Sequence, residues 1–157
     1  MHAVGVEPHG GDDSKTEKAQ MKISNDTDVG VRGLVFLASR PNRTAADAKD
    51  IAASAGVPRP TLAKVFSKLA EAGVVKDHGG RRYSLAYPSD QISLRMILEA
   101  VEGPESLKIS LGSRTREGAR SRRRGPHPAW QEVEKLLADS LEEYTLECFC
   151  LDAQYYL

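Results

Sequence analysis

The sequence predicts a mainly α chain with one small β-hairpin (an α+β class), and three observations carry that reading. Residues 47–55 and 58–72 place apolar side chains at helical spacing on either side of a Gly56–Val57 turn. A Gly73-led apolar and basic run follows and folds back at Gly79–Gly80 as a hairpin. A last amphipathic stretch, 129–149, reads as one long helix near the end of the chain. Over residues 44–86 the order is helix, turn, helix, hairpin. That is the plan of a winged helix-turn-helix, in which the second helix enters the DNA major groove.

The second helix is the best-defined element. Leu62, Val65, Phe66, Leu69 and Ala70 recur at i, i+3, i+4, i+7 and i+8, one continuous apolar stripe. The opposite face carries Thr61, Lys64, Lys68 and Glu71, with Arg59 and Pro60 at the entry. Proline costs little in a first helical turn, whose N–H groups lack intrahelical partners, so the start is fixed. Arg59, Pro60, Thr61, Lys64 and Lys68 are therefore the candidate DNA-binding residues of this helix. An ordinary surface helix would show the same charged face, but not the glycine-centred turn before it and the basic hairpin after it.

Residues 1–20 are rich in Gly, Asp, Lys and His without periodicity, and are expected to form a disordered tail. His2 and His9 within it are only a weak metal pair. Ser24 or Asn25 can cap a first helix with Asp26 and Asp28 in its opening turn, where carboxylates suit the helix dipole. Val31, Leu34, Val35 and Ala38 form its apolar face, and Pro41–Asn42 ends it. Thr44 or Asp47 starts the next helix, with Ala48, Ile51, Ala52 and Ala55 inward. Gly73 suits the end of the second helix. Residues 74–76 and 81–86 are the expected wing strands, and Lys76, His78, Arg81 and Arg82 load them with donors for phosphates or the minor groove.

The DNA-binding unit is thus expected over 21–88, with a connecting helix in 89–105. That helix carries Ile92, Leu94, Ile97, Leu98 and Val101, is capped by Ser93 and stops at Gly103–Pro104. Residues 106–128 are Arg-, Gly- and Ser-rich without an apolar period, a flexible basic loop of functional length. The final helix and C-terminus occupy 129–157. Trp130, Val133, Leu137, Leu141 and Tyr144 share one stripe, widened by Leu136, and a second copy of the chain would cover it.

Composition narrows the class further. The chain has 157 residues, 40% apolar and 28% charged, which suits one soluble domain with a modest core. Net charge is zero, yet the loop from Lys108 to Arg124 is strongly basic and the region after Ala129 strongly acidic. There are two cysteines, Cys148 and Cys150, so no disulfide framework exists and a reducing cytoplasm fits. One residue apart on a helix, they read as two buried thiols, with a bridge between subunits as the alternative. No apolar run reaches membrane-spanning length and no signal pattern is visible at the start, so a cytoplasmic location is expected.

Several ordered motifs resemble one family. Met21-Lys-Ile-Ser, Asp50-Ile-Ala, Gly56-Val-Pro, Lys68-Leu-Ala-Glu-Ala-Gly-Val-Val, Gly79-Gly, Ile92-Ser-Leu and Ala100-Val-Glu-Gly-Pro are similar to the IscR/NsrR/CymR-type (BadM-like, "Rrf-two") family of bacterial regulators. So are Pro126-His-Pro-Ala-Trp and Tyr144-Thr-Leu, which extends the resemblance over roughly 21–146. It implies a homodimeric winged-helix transcription factor, often a repressor, with a long C-terminal dimerisation helix. Many members hold an iron–sulfur cluster on three cysteines in the loop before the Pro-His-Pro-x-Trp motif. Such clusters need thiolates, and residues 105–128 contain no cysteine. Ser110 stands near the first ligand position, Arg124 near the last, and His127 at a position that is a ligand in some members. No iron–sulfur cluster or other cofactor is therefore expected, and His127 is expected to orient the start of the last helix. Ser110, Ser113 and Ser121 could stand in place of cysteines, a replacement that their spacing alone does not establish. The tail before Met21 departs from the family pattern.

The function expected from these residues is sequence-specific DNA binding by a homodimeric regulator. The alternative is a protein-interaction scaffold whose DNA binding depends on a regulatory partner protein. No phosphate loop, nucleophile elbow or His–Glu metal motif supports an enzyme.

Overall fold

The computed structural model describes residues 23–108 and 127–151; the predicted tail over 1–20 and positions 109–126 of the predicted loop lie outside the described residues. The elements are α1 (Asn25–Ser39), β1 (Ala46–Asp47), α2 (Ala48–Ala55), α3 (Arg59–Glu71), β2 (Val75–Asp77), β3 (Arg82–Leu85), α4 (Leu94–Glu102), α5 (Ala129–Glu143) and α6 (Leu146–Leu151). Single 3-10 turns lie at Pro41–Arg43 and Ser89–Gln91. The fold is mostly helical with a three-stranded antiparallel sheet in the order β1-β3-β2.

The helix-turn-helix is set by its ends. Asp47 caps α2 by accepting the Lys49 N–H at 3.1 Å. Gly56, in the left-handed region at φ 69°, ends α2, with the Val57 N–H reaching back to the Ala52 carbonyl at 3.1 Å. Gly73 (φ 79°) repeats this at the end of α3, where the Val74 N–H bonds the Leu69 carbonyl at 3.0 Å. Both are Schellman closures, which need the φ that glycine adopts without strain.

Between these ends, Leu62, Val65, Phe66 and Leu69 are fully buried, and they join Leu34, Ile51, Ile92, Ile97 and Leu146 in one core. Side chains from α1, α2, α4 and α6 therefore close over the inner face of α3. Gly33 lets α1 come close, because a Cβ there would lie 2.6 Å from the Phe66 ring. Ser93 caps α4 by accepting the Met96 N–H at 3.1 Å, and Gly103 ends it.

The structure corrects several expectations. The wing strands are Val75–Asp77 and Arg82–Leu85 rather than 74–76 and 81–86, because Val74 closes the end of α3 and Arg81 takes a left-handed turn conformation at φ 66°. Residues 46–47 form a further strand beyond the expected hairpin, with Ala46 opposite Tyr83. Helix 129–149 is two helices. Tyr144 and Thr145 leave the helix to bridge Ser93, with the Leu94 N–H donating to the Tyr144 carbonyl and the Leu146 N–H to that of Ile92, both at 2.7 Å. Ser24 precedes α1 but makes no side-chain cap; its hydroxyl donates to Glu102 instead. The two thiols are not both buried, since Cys148 is exposed and Cys150 half-buried.

Candidate nucleic-acid interface

With the inner face of α3 in the core, its entry faces outward. Pro58 precedes the helix, Arg59 and Pro60 occupy its first turn, and Arg59, Pro60 and Lys64 are exposed while Thr61 is half-buried. The wing is held against the same region from the other side. The Asp77 carboxylate accepts the Gly79 N–H at 2.8 Å, and Gly79, Gly80 and Arg81 all have positive φ. The Arg81 carbonyl then accepts the Ala48 N–H at 2.8 Å, tying the wing to the start of α2. Tyr83 packs edge-on against Phe66, with ring centroids 5.2 Å apart. Burial raises its phenol pKa, Asp77 adds to the rise, and Arg81 opposes it.

These elements enclose a groove of about 300 Å³ whose lining includes Asp47, Lys49, Arg59, Pro60, Arg81 and Tyr83. Of the sequence-derived candidates, the structure brings together Arg59, Pro60 and Arg81. The others are placed differently. Lys64 Nζ pairs with Asp26 at 3.2 Å, and Lys68 Nζ donates to the Val101 carbonyl at 3.2 Å. His78 bonds the Ser84 hydroxyl at 2.7 Å, and Arg82 reaches the Ala45 carbonyl at 3.5 Å. Lys76 is exposed on β2, the strand farthest from β1 in the sheet. Lys49 and Tyr83 are the groove residues the sequence reading missed. One signal was available for Lys49: a lysine in a first helical turn, where the dipole favours acids, suggests an anionic partner.

His127 Nδ1 accepts the Ala129 N–H at 3.1 Å, and its carbonyl accepts the Trp130 N–H at 3.0 Å, so this residue shapes the start of α5. Among the described residues no group of three His, Cys, Asp or Glu side chains could hold a metal ion. Residues 105–128 supply no thiolate, so the donors do not fit an iron–sulfur cluster.

The family model for Rrf2, described as an iron-dependent transcriptional regulator, matches residues 23–151. The chain belongs to the Rrf2 family. The chain is also similar to a protein of Mycobacterium tuberculosis named HTH-type transcriptional regulator Rv1287, 30% identical over 130 residues that cover 80% of this chain and 79% of the relative. A second, slr0846 of Synechocystis sp., is 40% identical over 90 residues, covering 56% of this chain and 60% of the relative. Among solved structures, B. subtilis CymR has a TM-score of 0.63 at 23% identity over 83% of this chain and 97% of its own. T. potens IscR has a TM-score of 0.58 at 28% identity, over 84% and 88% respectively. The Rrf2 winged-helix fold thus extends from α1 to α6. No described helix is long and apolar enough to cross a membrane.

Proposed function

We propose that this Rrf2-family regulator is a cytoplasmic homodimeric repressor that binds operator DNA in a sequence-specific way, without an iron–sulfur cluster and without enzymatic activity. The observation that carries the reading is the shared groove, which Arg59 at the entry of α3 and Arg81 at the turn of the wing both line. A recognition helix uses that end on DNA while its wing grips the backbone. Thr61 and Lys64 are the side chains next along the outer face of α3. Lys64 exchanges Asp26 for DNA on binding, an exposed pair that costs little to break. Lys68, Lys76, His78 and Arg82 flank the contact and contribute charge more than base selection.

The test is fluorescence anisotropy on fragments of the protein's own genome, beginning with its own promoter. Replacing Arg82 with Ala weakens binding to all sequences alike. Replacing Thr61 or Lys64 with Ala lowers the ratio of specific to non-specific affinity, by about 1–3 kcal/mol where a base contact is lost. Wild-type ratios in both α3 variants on a verified operator would defeat this assignment of the helix. A purified protein that selects no fragment until a partner protein is added would favour the scaffold reading.

A further inference from the structure

The basic side chains around α3 differ in what holds them, and Lys76 stands apart from the groove on β2. Lys64, Lys68, His78 and Arg82 are each tied to a named partner in the fold. Lys49, Arg59 and Arg81 are exposed, line one groove, and make no side-chain hydrogen bond or ion pair among the described residues. They come from three different elements, α2, α3 and the wing turn, whose relative positions are fixed by backbone bonds. The Ala48 N–H donates to the Arg81 carbonyl, and Asp47 occupies the Lys49 N–H. Those bonds also consume the first backbone donors of α2, so at this helix an anion in the groove meets the Lys49 side chain rather than the N-terminal backbone. Three cations face one carboxylate, Asp47, which is already engaged as a cap. At about 300 Å³ the groove has room for a phosphodiester group.

We infer that Lys49, Arg59 and Arg81 together seat a single backbone phosphate of the bound duplex, so that α2, α3 and the wing register on the DNA through one shared contact. The inference rests on the reading of the chain as a DNA-binding regulator and refines it in two ways. Lys49 becomes a DNA contact, and Arg59 becomes a positioning residue, which leaves base selection to Thr61 and Lys64. Three cations on one phosphate are mutually dependent, because each lowers the cost of holding the phosphate for the other two. Separate contacts to separate phosphates would act independently.

The measurement is the salt dependence of binding by the full chain to a labelled mixed-sequence duplex of about 30 base pairs, where phosphate contacts dominate. Lys49→Ala is expected to weaken binding on the order of tenfold, as for loss of one charge-assisted hydrogen bond. Lys49→Ala combined with Arg81→Ala is expected to lose clearly less than the product of the single losses, the signature of a shared partner. In the triple variant the slope of log affinity against log salt should fall by about 0.9 per protomer, one phosphate, where three independent contacts predict about 2.7. All three residues are exposed, so the variants should melt like the wild type. Multiplicative losses, a fall near the larger slope, or wild-type affinity in Lys49→Ala would each overturn the shared seat while leaving the DNA-binding reading in place. A wild-type protein that binds no duplex at any salt would overturn both.

Discussion

Glu102 shows how much one side chain can settle. The last residue of α4, it accepts at one carboxylate oxygen from the Ser24 N–H at 3.1 Å, from the Ser24 hydroxyl, and from the Thr27 hydroxyl at 2.6 Å. It therefore caps α1 from outside, which explains why Ser24 does not cap its own helix. Burial alone would raise the Glu102 pKa, but the hydrogen bonds from Ser24 and Thr27 outweigh it and hold the carboxyl below the usual range. A carboxylate with a lowered folded pKa adds stability that is fully present above its unfolded value, about 4.3, and is lost as pH falls through the folded value. Glu102→Gln should therefore lower the melting temperature most at neutral pH. The deficit should shrink below about pH 4, as the wild type loses the same charge. Thermal denaturation by circular dichroism across that range checks it, and a deficit independent of pH would count against the charged cap.

At the scale of elements, the crossing of α1 over α3 decides where the recognition helix sits. Gly33→Ala would place a Cβ 2.6 and 2.8 Å from two Phe66 ring carbons and 3.1 Å from Ile51 Cγ2. The helix would gain up to about 1 kcal/mol of propensity from alanine. Overpacking against a fully buried ring should outweigh that, for a net destabilisation of about 1–3 kcal/mol in urea denaturation. Gly30→Ala, whose nearest contact is 3.3 Å from Val65, should cost less. The sequence did not disclose this role, since a glycine within a helical stripe reads only as a weak position. The apolar faces of α1, α2, α3 and α4 were legible because each keeps its period and its end signals. The Gly79–Gly80 turn was legible for the same kind of local reason. The break at Tyr144 was not, because the α5 stripe runs straight through it and the bridge to Ser93 comes from a segment about fifty residues earlier. The two-residue strand β1 carries no alternation to read. In the candidate site, Arg59 and Arg81 could be picked out from motif position alone. Their convergence with Lys49 depends on the β1–β3 pairing, which no local pattern encodes.

At the scale of the whole molecule, α5 leaves an apolar strip uncovered by the described chain. This helix packs on α4, and Leu137 and Leu141 are half-buried. Trp130 is 42% exposed, Val133 44%, Leu136 67% and Tyr144 59%. The stripe expected to bury against a partner is thus shared, with its Leu137 and Leu141 side partly covered within the chain and Leu136 joining the open side. An apolar strip of this kind along a single helix marks an association surface. In a two-fold dimer the strip meets its own copy, so one substitution is felt twice. The expected outcome is a wild-type dimer in sedimentation at low micromolar concentration, and a monomer for Leu136→Asp combined with Val133→Asp. Because both side chains are exposed in the protomer, far-UV circular dichroism should be unchanged, which separates lost association from lost folding. The consequence reaches DNA. Winged-helix dimers read two half-sites about one helical turn, 34–36 Å, apart, so a monomer keeps its phosphate contacts on one half-site and loses the second. Its affinity for an operator should fall towards its affinity for a mixed-sequence duplex, with the salt slope roughly halved. A wild-type protein that sediments only as a monomer yet binds an operator with full affinity would remove α5 from the interface.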